Sequence, residues 1–369
     1  MPSNGLKIPE KRIVSIDALR GFDMFLIIGG GSFFGSILAL FDNPFVRAVQ
    51  TQMHHAEWHG FTAWDLIFPL FLFIVGVSIP FAMTKRLDRG DSRKELALHV
   101  VKRTLVLYFF GMIMEAGRIN ALGGLRYTGV LHRIAFCYFF ASLIVMNTRI
   151  RGQALWAGSL LIIYWLFMTL IPVPGHGAGV FTPEGNLASY IDRLYLPGAL
   201  RNELYDNEGI LSTLPAVATT LLGVLSGHRL RLPYSQNRKA AGLVSVGIIC
   251  LVAGLLWNTV FPINKLLWTS SFVLYAGGWS MLLLALFYWL IDVHGCRKWA
   301  FPFVVIGLNA LTIYIAGALF DFGRVFTVFT YEFIDHFGTF KPLFRSAGVL
   351  GIKWLFLYYL YRKRIFLKA

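Results

Sequence analysis

Apolar runs of membrane-spanning length recur along the whole chain, separated by short polar stretches. About 20 mostly apolar residues suffice to cross a hydrocarbon core of about 30 Å as a helix. Such runs fall approximately at 16–40, 62–83, 101–117, 129–147, 154–171, 210–228, 241–259, 268–291, 302–320 and 346–361. The third and tenth are the shortest in apolar character. The pattern predicts an all-α polytopic membrane protein, a bundle of about ten transmembrane helices. An even number of spans puts both termini on one side.

Charge then orients the bundle. Of the 34 Lys and Arg residues, 23 fall at the inner ends, from Lys7, Lys11, Arg12 and Arg20 through Lys85–Lys94, Lys102, Arg103, Arg149, Arg229–Lys239 and Arg297 to Arg362–Lys368. Basic residues concentrate on the cytoplasmic side of membrane proteins. Both termini are therefore expected in the cytoplasm, with multi-pass insertion in a bacterial inner membrane. The net charge of +15 is explained by this distribution and by contact with membrane lipid, so it does not call for nucleic acid.

Composition agrees. Charged residues make up 14% of the 369 positions and hydrophobic ones 56%, where a soluble domain carries about 25% and 45–50%. Cys137, Cys250 and Cys296 lack metal-ligand spacing and read as small buried hydrophobes. The first apolar run is too long for a signal-peptide core, and no small-residue cleavage site follows closely, so it reads as a retained helix. No repeat or linker divides the chain, and one domain over 1–369 is expected. Its outer loops lie at about 41–61, 172–209 and 321–345. Membrane proteins of this size often pair, so a homodimer is allowed for.

Ionisable groups inside apolar spans are costly and point to function. Asp17 and Arg20 open the first span at i,i+3 and can pair, while Asp23 lies a turn deeper and must face the bundle interior. The densest polar stretch, His54 to Asp65, sits at the outer mouth of the second span. There His55 can exchange a proton near neutral pH, and Glu57 or Asp65 can hold its tautomer. Thr62 and Asp65 also fit a helix cap. The order of His55, Glu57 and His59 does not match a zinc motif, and no metal is expected. Further outer groups are Glu115, Arg118, Arg126, His132, Arg133, Asp206, Glu208 and Lys265. Asn309 lies within the ninth span and needs a partner there.

Several segments resemble the heparan-α-glucosaminide N-acetyltransferase family. They are SIDALRG at Ser15–Gly21, HAEWHGFTAWDLIFPLFLFIVGVSI at His55–Ile79 and GVLHRIA at Gly129–Ala135, followed by Glu208–Gly223, Phe261–Leu274 and Gly307–Leu311. Their order runs from the first span to the basic tail. The resemblance implies transfer of acetyl from cytosolic acetyl-CoA to the amine of a glucosamine-type sugar on the far side of the membrane. It places the family's catalytic histidine, in its H-A-x-W-x-G motif, at His55. Two positions depart from the family pattern. Ile28–Ser32 contains none of the asparagine many members carry near the outer end of the first helix, and His132 stands where many have glutamine.

On this reading His55 is the base or a transient acetyl carrier, with Glu57 or Asp65 orienting it. Trp58, His59, Arg133, Glu208, Lys265 and Asn309 are candidates for binding the sugar, and Asn309 or Arg133 for the oxyanion. Arg20, Lys102 and Arg103 are candidates for the phosphates of acetyl-CoA. A deep cavity or an acetyl relay must bridge the two faces. The rival reading is an amino-sugar transporter in which Asp23 and the outer acids are coupling groups.

Overall fold

The computed structural model describes residues 13–117 and 124–367, and all its regular elements are helical. The basic residues of Met1–Arg12, Arg118 and Lys368 lie outside the described residues. α1 (Val14–Phe25) runs through a π-turn at Leu26–Gly30 into α2 (Gly31–Leu38), and α3 (Pro44–Gln52) follows. A 3₁₀ turn, Ala63–Leu66, starts α4 (Ile67–Leu87), and α5 spans Arg93–Ala116. Next come α6 (Val130–Asn147), α7 (Ile150–Leu170), α8 (Leu187–Tyr195) and α9 (Thr213–Arg231). The chain closes with α10 (Gln236–Trp257), α11 (Ser270–Tyr288), α12 (Phe301–Leu308), α13 (Ala310–Leu319), α14 (Phe322–Thr330) and α15 (Lys341–Arg362).

Eight helical segments among the described residues are long and apolar enough to cross a membrane, nine if α12 and α13 count as one broken span. Ten were expected. The difference is α9, which coincides with the expected span at 210–228 but interleaves its aliphatics with Thr, Ser, Gly and His. The reason lies in its surroundings. α9 packs against α4, α6, α7 and α11, and 13 of its 19 residues are buried. A helix enclosed by protein needs no apolar face toward lipid. Peripheral helices do need one, and they expose Leu98, Leu105, Phe109, Leu155, Ile249 and Leu256.

Small residues set the central contact. A Cβ at Gly223 of α9 would sit 2.0 Å from the Phe73 carbonyl oxygen, and one at Gly76 of α4 would sit 2.0 Å from that of Thr220. Without side chains the two backbones touch, the device by which membrane helices gain packing where no hydrophobic drive exists.

The ninth expected span is broken. α12 and α13 meet at 70°, with Asn309 at the break. Its amide donates to the Ile365 carbonyl at 3.1 Å and accepts from the Leu367 N–H at 3.3 Å. Asn309 thus ties the tail to the hinge. Irregular backbone at membrane depth is tolerated where protein buries it, and Asn309 is buried.

The expected outer loops carry short helices. α3 lies within 41–61, α8 within 172–209 and α14 within 321–345. Short connections between α4 and α5, α6 and α7, and α9 and α10 alternate with these loops, so the bundle has two distinct ends. The residues of 53–66, 124–129, 196–212 and 258–269 gather at one of them.

Candidate active site

The stretch His54–Asp65 folds back on itself because Asp65 holds it. Asp65 Oδ2 accepts the backbone N–H of Ala56 at 3.2 Å and of Thr62 at 3.1 Å. Thr62 is the cap residue of the 3₁₀ turn, and its hydroxyl donates to the His54 carbonyl at 2.6 Å. Gln52 caps the adjacent Ala63 N–H at 3.0 Å. Gly60, at φ +119°, lets the loop turn so that its N–H reaches the Ile263 carbonyl at 2.8 Å. The loop is therefore zipped onto the 258–269 segment.

One carboxylate oxygen of Asp65 remains for chemistry. Asp65 Oδ1 lies 2.8 Å from His55 Nδ1 and 3.3 Å from Lys265 Nζ. Lys265 Nζ is also 3.0 Å from His55 Nδ1. Asp65 is 1% exposed, whereas the His55 side chain is 55% exposed. A proton on Nδ1 donated to Asp65 leaves the Nε2 lone pair to accept, with Lys265 Nζ 3.5 Å away. Of the two carboxylates expected to orient His55, the structure brings Asp65 to it, while Glu57 is exposed on the loop.

His55 and Lys265 stand in the wall of a cavity of about 480 Å³. The cavity has two kinds of lining. Its polar part is formed by His55, Lys265, Glu115, Arg126, Arg201, Asn207 and Glu208. Its apolar part is formed by Met24 and Ile27 of the first span, Ile67, Phe68 and Phe71 of α4, Val130, Leu131 and Ile134 of α6, and Leu311 and Tyr314 of α13. The broken span thus supplies wall below the break.

A buried ion cluster closes the polar part. Arg126 grips Asp206 with Nε at 2.8 Å and Nη2 at 2.5 Å, and Nη2 also reaches Glu208 at 2.5 Å. Glu115 lies 3.9 Å from Nη1. Burial alone would push the Asp206 carboxyl upward, but the Arg126 guanidinium outweighs it and holds the group below the usual carboxylate range. Lys265 goes the other way. Burial lowers its ammonium from the ordinary lysine value, against the opposing pull of Asp65 and Glu208. Next to the cluster, burial raises Asp192 to about 7, while the Ile210 N–H at 2.8 Å works against the rise.

The other expected site residues are placed elsewhere. Trp58 donates through Nε1 to the Phe181 carbonyl at 2.7 Å and packs edge-on against Tyr205. His59 Nδ1 lies 3.4 Å from the Asn264 side-chain amide, and its partial burial lowers its basicity. Neither borders the cavity. Arg133 is buried beneath it, with its guanidinium 5.0 Å from the Trp268 ring. Asn309 belongs to the hinge. Arg20 reaches Asp17 at 3.2 Å and Ser78 at 2.8 Å, and Arg103 stacks on Tyr138 at 4.4 Å. Arg20, Lys102 and Arg103 do not border the His55 cavity.

The described residues thus form a multi-pass membrane bundle with a His–Asp pair and a lysine at the mouth of a half-apolar cavity. Residues 12–157 match a family described as a domain of unknown function (DUF5009). Over 97% of its length the chain is 28% identical to heparan-alpha-glucosaminide N-acetyltransferase of Homo sapiens and 26% identical to that of Mus musculus. The chain spans about 60% of the length of these relatives. It is a homologue of the heparan-alpha-glucosaminide N-acetyltransferases.

Proposed function

We propose that the chain is an acetyl-CoA-dependent acyltransferase that acetylates the amine of a glucosamine-type sugar. The observation that carries this reading is the His55–Asp65 pair, open to a cavity with a polar mouth and an apolar interior. Relationship to N-acetyltransferases over nearly the whole chain supports it. The charge distribution supports both termini in the cytoplasm and insertion in a bacterial inner membrane.

The chemistry follows from the residues. A protonated amino sugar cannot attack a thioester, so a base must first remove a proton. His55 Nε2 takes it, and Asp65 fixes the tautomer and stabilises the imidazolium that forms. The amine nitrogen then attacks the acetyl carbonyl, the C–N bond forms, and the C–S bond breaks. The intermediate sheds its remaining extra N–H proton to solvent, and the CoA thiolate leaves and takes the proton held on His55 Nε2. Lys265 stands where a cation can stabilise the oxyanion of the tetrahedral intermediate. Glu208, Arg126 and Glu115 at the mouth offer acceptors and a donor to sugar hydroxyls and ammonium. The apolar wall of α1, α4, α6 and α13 suits the pantetheine arm and the acetyl methyl. Transfer is direct in this arrangement, with His55 as base.

The test uses sided vesicles. Purified protein is reconstituted with radiolabelled acetyl-CoA sealed on one side and a panel of amino sugars on the other. Acetylated sugar on the acceptor side supports the reading. A second reading, transport, is favoured by Asp23, which is fully buried with neither carboxyl oxygen hydrogen-bonded among the described residues. Sugar uptake without acyl donor, and no acetylation, would replace the first reading by the second.

A further inference from the structure

Lys265 reaches His55 and Asp65 from a segment with an unusual backbone. Trp268 adopts φ +54°, a left-handed conformation that side chains other than glycine rarely take. Its N–H donates to the Lys265 carbonyl at 3.1 Å and closes the turn that carries the lysine. Asn264 braces the same turn, accepting the Leu267 N–H at 2.8 Å. A strained residue persists only where its surroundings over-determine it.

The surroundings of Trp268 do so. The residue is fully buried, its Nε1 donates to Thr219 Oγ1 at 3.0 Å, and Phe68 and Phe272 pack edge-on against its ring. Arg133 completes the enclosure. Its guanidinium lies against the indole ring at 5.0 Å, and Nη2 donates to the Ser212 hydroxyl and to the Gly209 carbonyl. Arg133 is 1% exposed, and its Nε and Nη1 have no hydrogen-bond partner among the described residues. The Asp192 carboxylate lies beside Gly209 and feels the charge of Arg133, yet no carboxylate is hydrogen-bonded to the guanidinium among the described residues, and a desolvated cation gains most from an aromatic face.

We propose that Arg133 is a positioning residue that acts through Trp268: it locks the left-handed turn that holds Lys265 against His55 and Asp65. The inference rests on the acyltransferase reading only for its effect on turnover. Lys265 itself is faced by His55, Asp65 and Glu208, so a relaxed turn would free its amine from all three.

The experiment reads Lys265 directly and then turnover. The full chain in detergent is labelled with acetic anhydride across a pH series, and modification of Lys265 is followed by peptide mass spectrometry. In Arg133→Met, the midpoint of Lys265 labelling moves up toward that of an ordinary lysine, and above that midpoint Lys265 labels faster because its amine is freed. Thr219→Val, which removes only the indole acceptor, shifts labelling in the same direction. Turnover falls by about a hundredfold in Arg133→Met, with KM for acetyl-CoA unchanged. The double variant Arg133→Met/Lys265→Met loses no more turnover than Lys265→Met alone, because Arg133 acts only through the lysine. Native labelling of Lys265 in a folded Arg133→Met protein would overturn the proposal, as would additive losses in the double variant. If the native chain shows no transfer, labelling alone decides, and the failure belongs to the acyltransferase reading.

Discussion

Replacing Asp65 by Asn tests the working unit of the site with almost no change of shape. The carbonyl of the new amide can still accept the Ala56 and Thr62 N–H groups, so the loop keeps its fold. The electrostatics change. In the proposed reaction the imidazolium that forms during proton transfer lies against the Asp65 carboxylate, whose Oδ1 is 2.8 Å from Nδ1. Two unit charges centred about 4 Å apart at an effective dielectric of about 20 attract by about 4 kcal/mol. Each 1.4 kcal/mol is tenfold in rate, so removing this attraction slows turnover by about 10³-fold. Lys265 loses its partner as well, and its ammonium then opposes the imidazolium, which carries the loss toward about 10⁴-fold. The assay is steady-state transfer from radiolabelled acetyl-CoA to glucosamine in detergent, with thermal unfolding as the control. KM for acetyl-CoA should stay within about threefold, since only the transition state is affected. An Asp65→Asn protein with unchanged unfolding and kcat within tenfold of native would refute the argument.

Two further outcomes follow from the polar mouth. Arg126→Met leaves Asp206 and Glu208 buried without their cation, and uncompensated buried charge costs about 3–5 kcal/mol; thermal unfolding in detergent should show a large drop, and an unchanged midpoint would mean the cluster is not a structural element. Asp192 has a native pKa raised by burial from 3.8 to about 7, so the folded state binds its proton more tightly than the unfolded state. Stability is therefore lost as pH rises from about 4 to 7, by at most about 4 kcal/mol at 1.36 kcal/mol per unit. Asp192→Asn, which keeps an acceptor for Ile210, should flatten that part of the stability profile, and an identical profile in the two proteins would show the carboxyl is not buried as described.

The spans were legible in the sequence because lipid demands long apolar runs; the observed helices follow them closely, except that α5, expected from 101, starts at Arg93. α9 shows where that rule weakens. A helix surrounded by other helices needs no lipid-facing signature, and its run at 210–228, interleaved with Thr, Ser and Gly, marks the helix less sharply than the others. The His55–Asp65 pair was legible because its members lie ten positions apart in one stretch that also carries His54, Glu57 and His59. Glu57 was an equal candidate on spacing, and only the fold of the loop, set by Thr62 and Asp65, turns it outward. Lys265 joins the pair from 210 positions away. The resemblance marked its segment, but no periodicity could place its amine on His55. Arg126 with Asp206, 80 positions apart, read as separate interfacial charges. Arg133 and Asn309 are the instructive cases. Each is polar inside an apolar span, which sequence reasoning takes as a sign of ligand contact. The structure gives them internal partners, Trp268 with Ser212 for one and the chain tail for the other. A span's sequence states that a polar group must be satisfied, not whether a substrate or the protein satisfies it.

In the proposed reaction His55 is the group that takes the proton from the acceptor amine. The most direct measurement is single-turnover acetyl transfer to glucosamine, made on native protein and on His55→Ala side by side, both saturated with radiolabelled acetyl-CoA and matched for unfolding temperature. The account predicts acetylated sugar from the native protein and a loss of at least about 10²-fold in the variant, with donor binding retained. Equal transfer by the two proteins, or none by a folded native protein that binds acetyl-CoA, would contradict it.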